Sequence, residues 1–244
     1  MRVALMVTCL GDALFPDVGR ATVSLLRRLG VGVEVPTGQT CCAQPMVNTG
    51  YLEEAVPVVR TFVEAFAGYD AVVAPSGSCA GSVRHQHALV ARRAGDPALA
   101  EAVARTAPRV HELSEFLTDV LGVEDVGATF AHRVTYHPTC HSLRLLDVGD
   151  RPTRLLRAVR GLELLELPHA QECCGFGGTF AVKNADTSVV IGQDKARHVL
   201  DTGAEVLVAS DSSCLMHVGG ILSRQRAGVR VMHLAEVLAA TGSP

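Results

Sequence analysis

Eight cysteines constrain this 244-residue chain more than any other feature, because they fall into two sets of the same order. Cys9, Cys41, Cys42 and Cys79 form one set, and Cys140, Cys173, Cys174 and Cys214 form the other. Each reads single, adjacent pair, single, with offsets of 131, 132, 132 and 135 residues between equivalent members. The flanks repeat as well. Val3–Cys9 (VALMVTC) matches Val134–Cys140 (VTYHPTC), Gly68–Cys79 (GYDAVVAPSGSC) matches Gly203–Cys214 (GAEVLVASDSSC), and Arg109–Leu117 (RVHELSEFL) matches Arg230–Leu238 (RVMHLAEVL). Coincidence would not preserve both cysteine order and flanking pattern, so the chain reads as an internal duplication. The boundary is expected in the glycine-bearing stretch Gly122–Gly127, which gives two cysteine-rich domains, residues 1–124 and 125–244.

Within each copy, short apolar runs alternate with amphipathic stretches. Val3–Val7, Val33–Val35 and Ala71–Ala74 are the strand candidates of the first copy; Val134–Tyr136, Leu162–Leu167 and Glu205–Ala209 are those of the second. Continuous apolar runs of this length suit strands buried on both faces. Helical spacing covers Val18–Leu29, closed by Gly30, then about Leu52–Phe66, Arg151–Val159 and about Asp186–Leu200. Alternating strands and helices predict an α/β fold of two duplicated, doubly wound parallel-sheet halves related by pseudo-two-fold symmetry. His111–Leu121 and Met232–Ala240 read as the helices that close each copy, packed on their own half or on the opposite one.

Composition decides what the cysteines are for. At 48% apolar and 19% charged the chain can bury a sizeable core, and a net charge of −3 without a basic run argues against nucleic acid or an anionic membrane as partner. No apolar stretch approaches the roughly 20 residues of a membrane span. Gly11 and Asp12 cut the apolar start short of a signal peptide, so a cytoplasmic protein is expected. In that reducing setting cysteines are metal ligands or redox groups more often than disulfides. The plainer alternatives are small buried hydrophobes, or a redox pair formed by the neighbours.

The cysteines fall after strand candidates, at one edge of a parallel sheet, where four thiols per half can converge. Four thiolates suit a tetrahedral zinc ion or an iron–sulfur cluster. Adjacent residues diverge in direction, which favours a cluster with several iron atoms over a single ion. Gly175, Gly177 and Gly178 would let backbone N–H groups approach sulfur, a cofactor-binding role. His137, His141, His169 and His217 lie near the second set, as ligands, hydrogen-bond donors, proton carriers or ordinary structural histidines. Lys183 could neutralise a cluster or a carboxylate, or simply be solvated. Arg84, His85, His87, Arg92 and Arg93 form a basic stretch read as a solvent face or a dock for an acidic partner. Hydrolase, P-loop and HExxH arrangements are absent, as is any nucleotide fingerprint.

The spacings C-x31-C-C-x36-C and C-x32-C-C-x39-C resemble the cysteine-rich CCG-domain family, as do Val7–Leu10 (VTCL), Pro75–Cys79 (PSGSC), Leu121–Gly127 (LGVEDVG), Cys173–Phe180 (CCGFGGTF) and Cys214–His217 (CLMH). That family includes heterodisulfide reductase B subunits, glycolate oxidase iron–sulfur subunits and lactate-utilization proteins, the last similar across essentially the whole chain. The resemblance implies iron–sulfur clusters, of the [4Fe–4S] type, held by the eight cysteines, with zinc at one site as an alternative. It also implies electron transfer in the oxidation of L-lactate to pyruvate, alongside other iron–sulfur protein subunits, with a small 2-hydroxy acid bound by the complex. Two departures matter. The family pattern ends in CxxC where this chain has Ser82 and His217, and Ala43 follows Cys42 where Gly175 follows Cys174. The first puts heterodisulfide-type chemistry in doubt; that chemistry and a zinc-stabilised scaffold are the alternative readings.

Overall fold

A computed structural model describes residues 1–242. The first half builds β1 (Val3–Leu5), β2 (Val33–Glu34), β3 (Ala71–Ala74) and β4 (Val110–Glu112) into one sheet of order β2-β1-β3-β4. The second half builds β5 (Arg133–His137), β6 (Glu163–Leu165), β7 (Val206–Ala209) and β8 (Arg230–His233) into a sheet of order β6-β5-β7-β8. Every pairing is parallel, and the duplication extends to register: Val3 lies opposite Ala71 as Val134 lies opposite Val206. The central strands β3 and β7 are buried at every position, which is why they read as the unbroken apolar runs AVVA and VLVA.

Helices cover the sheets. In the first half they are α1 (Cys9–Leu14), α2 (Pro16–Arg28), α3 (Gln44–Thr49), α4 (Leu52–Phe66), α5 (Gly77–Ala94), α6 (Pro97–Thr106) and α7 (Leu113–Glu115). In the second they are α8 (Cys140–Arg144), α9 (Arg151–Arg157), α10 (Phe180–Lys183), α11 (Ala185–Asp201), α12 (Ser212–Arg224) and α13 (Leu234–Ala239). In sheets of this order the chain leaves the two middle strands in opposite directions, opening a crevice at their carboxyl ends. Cys9 and Cys79 follow β1 and β3, and Cys140 and Cys214 follow β5 and β7, so both crevices are furnished with thiols.

The closing segments differ from the sequence expectation. Each begins as a strand, β4 or β8, before turning into a helix, α7 or α13. Glu112 and His233 are N-caps of capping boxes completed by Glu115 and Glu236, so neither helix can begin earlier. These closing helices pack across the pseudo-two-fold: α13 lies on α2, and α7 on α9. Arg28, in the last turn of α2, donates to the carbonyls of Leu238 and Ala239 at the end of α13. One apolar cluster therefore draws Leu25, Leu26, Leu113 and Phe116 together with Leu155, Leu156, Leu234 and Leu238. Complete burial of each such side chain contributes about 1.5–3 kcal/mol. Among the described residues no helix is long and apolar enough to cross a membrane.

Candidate metal centre

Short caps set the cysteines in place. Thr8 Oγ1 accepts the N–H of Gly11 at 3.1 Å, starting α1 at Cys9. Thr139 occupies the same place before Cys140 and bonds Ser142 Oγ at 2.9 Å. Ser76 Oγ accepts the Cys79 N–H at 3.2 Å at the start of α5, while Asp211 is the N-cap residue of α12 before Cys214. These two equivalent caps meet across the halves. Asp211 accepts from Ser76 Oγ at 2.5 Å, from Ser78 Oγ at 2.7 Å and from the Ser78 N–H at 3.2 Å. The approach is close enough that a Cβ on Gly77 would lie 2.0 Å from Ser142 Oγ.

Within each half the four thiols are brought together as a chain of contacts. Cys9 meets Cys41, Cys41 meets Cys42, and Cys42 meets Cys79. Cys140, Cys173 and Cys174 repeat the series, ending with Cys174 and Cys214 sulfurs 3.0 Å apart. All eight are free thiols. Hydrogen bonds from Cys42 and then Cys9 hold the Cys41 thiol far below its ordinary value, and those from Cys140 and then Cys174 do the same for Cys173. Cys9, Cys42, Cys140 and Cys174 are pushed up by the same neighbours and by burial. Each set is thus a compact group of four sulfur donors, from which a soft cation displaces any protons.

The adjacent pairs depend on left-handed turns. Ala43 has φ 65° and Gly175 φ 91° immediately after them. The Gly175 N–H lies 3.3 Å from Cys173 Sγ, and Gly177 and Gly178 line the space beyond. That space is a cavity of about 350 Å³ between the halves, faced by every cysteine except Cys41. Gln44 spans it, donating to the Ser78 carbonyl at 3.0 Å and meeting His141 Nε2 at 3.0 Å. The thiolate-rich donor set fits zinc or an iron–sulfur cluster and does not suit hard cations such as calcium or magnesium.

The other residues singled out from sequence are dispersed. His137 is buried at the end of β5, with a ring nitrogen and the Cys174 and Cys214 sulfurs all within 4.8 Å of one another. Burial, then the charge of Lys195, lowers its pKa to about 3. His217 Nε2 bonds the Ser188 carbonyl at 3.2 Å, and Ser82 Oγ donates to the Cys42 carbonyl at 3.3 Å. His169 is at the surface, stacked on His198, and Lys183 is exposed. The basic stretch is no continuous solvent face: His87 is buried on the Cys42 carbonyl, Arg84 pairs with Glu115, and Arg93 pairs with Glu53. Sequence reasoning missed Lys195, one of two lysines in the chain and 1% exposed. Its ammonium donates to the His169 carbonyl at 2.7 Å. The available signal was its place among Gly192, Ala196 and Val199 on the buried face of α11.

Residues 3–84 and 134–219 match the family described as CCG, cysteine-rich domain. Over 238 residues the chain is 48% identical to lactate utilization protein A of Geobacillus kaustophilus, covering 98% of both chains. It is 47% identical to lactate utilization protein A of Bacillus subtilis, covering 98% of this chain and 99% of that one. Among solved structures, a hypothetical protein from Helicobacter pylori superposes with a TM-score of 0.62 at 11% identity, over 100% of this chain and 49% of the other. At that identity the likeness speaks for the fold alone.

Proposed function

The chain belongs to the cysteine-rich CCG family, in the group of lactate utilization protein A, and from that premise we propose that it is an iron–sulfur redox component of a lactate-oxidising system. The observation that carries this reading is the pair of four-thiol sets, of which every cysteine but Cys41 faces one shared cavity. Cys9, Cys41, Cys42 and Cys79 would hold one cluster, and Cys140, Cys173, Cys174 and Cys214 the other. When bound, a [4Fe–4S] cluster supplies reversible one-electron storage at a potential set by hydrogen bonds and burial.

The protein's own groups perform the rest. The Gly175 N–H donates to Cys173 sulfur, which stabilises negative charge there. Asp211 ties the two helix starts together and so fixes the spacing of the two thiol sets. Lys195 places a buried positive charge beside the second set, offsetting its thiolates. The cavity between the sets has room for more than a single ion, which supports polynuclear groups over zinc. A molecule the size of a small 2-hydroxy acid also fits there, with Gln44, Ser78 and His141 as polar contacts. Other iron–sulfur subunits would be the electron partners, in the reducing cytoplasm that keeps eight thiols free.

The test is iron, sulfide and zinc content after strictly anaerobic purification, with visible and EPR spectra. About four iron and four sulfide per half supports the reading. Zinc without sulfide refutes it and leaves a metal-stabilised scaffold.

A further inference from the structure

His137 is buried to 1% exposure, and among the described residues neither of its ring nitrogens has a hydrogen-bond partner. The other buried histidines with an orphaned nitrogen, His87 and His233, each bond through the second one. A buried imidazole left wholly unpaired is costly unless something occupies the space it faces. What it faces is the second thiol set, with the Cys174 and Cys214 sulfurs in range. The repeat sharpens the point. His137 stands three residues before Cys140, where the first half has Met6 three before Cys9. Met6 is fully buried and packs in the same apolar cluster as Cys42 and Cys79. Equivalent places beside equivalent thiols therefore carry an imidazole in one half and a thioether in the other. An imidazole nitrogen facing these sulfurs offers a lone pair that suits a soft or borderline cation.

We propose that His137 is a nitrogen ligand of the metal centre in the second half, which makes that centre chemically distinct from the all-cysteine centre of the first. The inference rests on the reading of the thiol sets as metal centres. A neutral nitrogen donor makes the second centre less electron-rich than the first. Its potential is then the higher of the two, and electrons settle on the second half.

Pulsed EPR of the anaerobically reduced holoprotein, prepared with natural-abundance and ¹⁵N-labelled histidine, tests this without a variant. A strong nitrogen coupling that changes with the label is expected in the wild type. It should vanish in H137M, a substitution that the equivalent Met6 shows the repeat can house, and persist in H141Q. If the protein carries zinc instead, cobalt(II) put in its place gives the same readout. Absence of a label-sensitive coupling in metal-loaded wild type overturns the proposal, as does its survival in H137M. Either result leaves the metal-centre reading standing. A chain that takes up no metal overturns both.

Discussion

Substitution of Gly175 by alanine tests the turn that presents the second cysteine pair. At φ +91° an L-residue pays for a left-handed conformation, about 1–2 kcal/mol even in the favoured part of that region. The added Cβ would also lie 2.5 Å from the Ser188 carbonyl oxygen and 3.0 Å from the Gly192 nitrogen. Both are backbone atoms of α11, so relief requires the helix itself to shift, at about 1–3 kcal/mol. G175A is expected to lose about 2–5 kcal/mol in total. Gly178 provides the control: it is also left-handed, at φ +65°, but nothing lies within 4 Å of where its added methyl would sit, so G178A loses only the conformational part, about 1–2 kcal/mol. The reverse exchange, A43G, relieves a left-handed alanine but forfeits a buried methyl of about 0.8 kcal/mol, and should be close to neutral. Anaerobic urea unfolding at fixed metal concentration, with unchanged slopes, ranks the three. A G175A loss no larger than that of G178A would refute the steric argument.

Three further outcomes are expected. D211A strands the Ser78 N–H and leaves the Ser76 and Ser78 hydroxyls to bond each other at the contact between halves, and should cost about 1–3 kcal/mol in the same unfolding assay. G77A, whose methyl would strike Ser142 Oγ, should be destabilising and partly rescued by S142G, with the coupling read from a double-mutant cycle; strict additivity would contradict the close approach. Burial lifts the Glu112 carboxyl to about 7, so the folded state binds its proton more tightly than the unfolded state. The associated stabilisation is full below the ordinary value of 4.5 and is lost as pH rises through about 7, amounting to about 3 kcal/mol. The difference in unfolding free energy between wild type and E112Q, measured from pH 4 to 8, should follow that course.

Much of the fold was legible because its signals are local. The run at Ala71–Ala74 is a strand with those bounds, Glu205–Ala209 is a strand that begins one residue later at Val206, and the helical spacing of Leu52–Phe66 is a helix with those bounds. Leu162–Leu167 shortens to Glu163–Leu165, since β6 is an edge strand with only one neighbour to pair its ends. The closing segments were misread because three- or four-residue strands give too few alternations to stand out from the helix that follows. The extended helix α6 was also missed, although Asp96 and Pro97 are an ordinary N-cap and first-turn pair.

The sequence by itself determined the duplication, the parallel α/β class and the eight cysteines in two equivalent sets, because each is written in residue spacing along one chain. Tertiary structure alone decided that both sets face one cavity, that α13 crosses onto α2, and that Asp211 of one half caps against Ser76 of the other. It also separated the histidines: of the four near the second set in sequence, only His137 is buried with both nitrogens unpaired. The physical reason is the same in each case. Hydrophobic periodicity records which face of an element is buried, whereas the partner it is buried against is set by packing between residues more than a hundred positions apart.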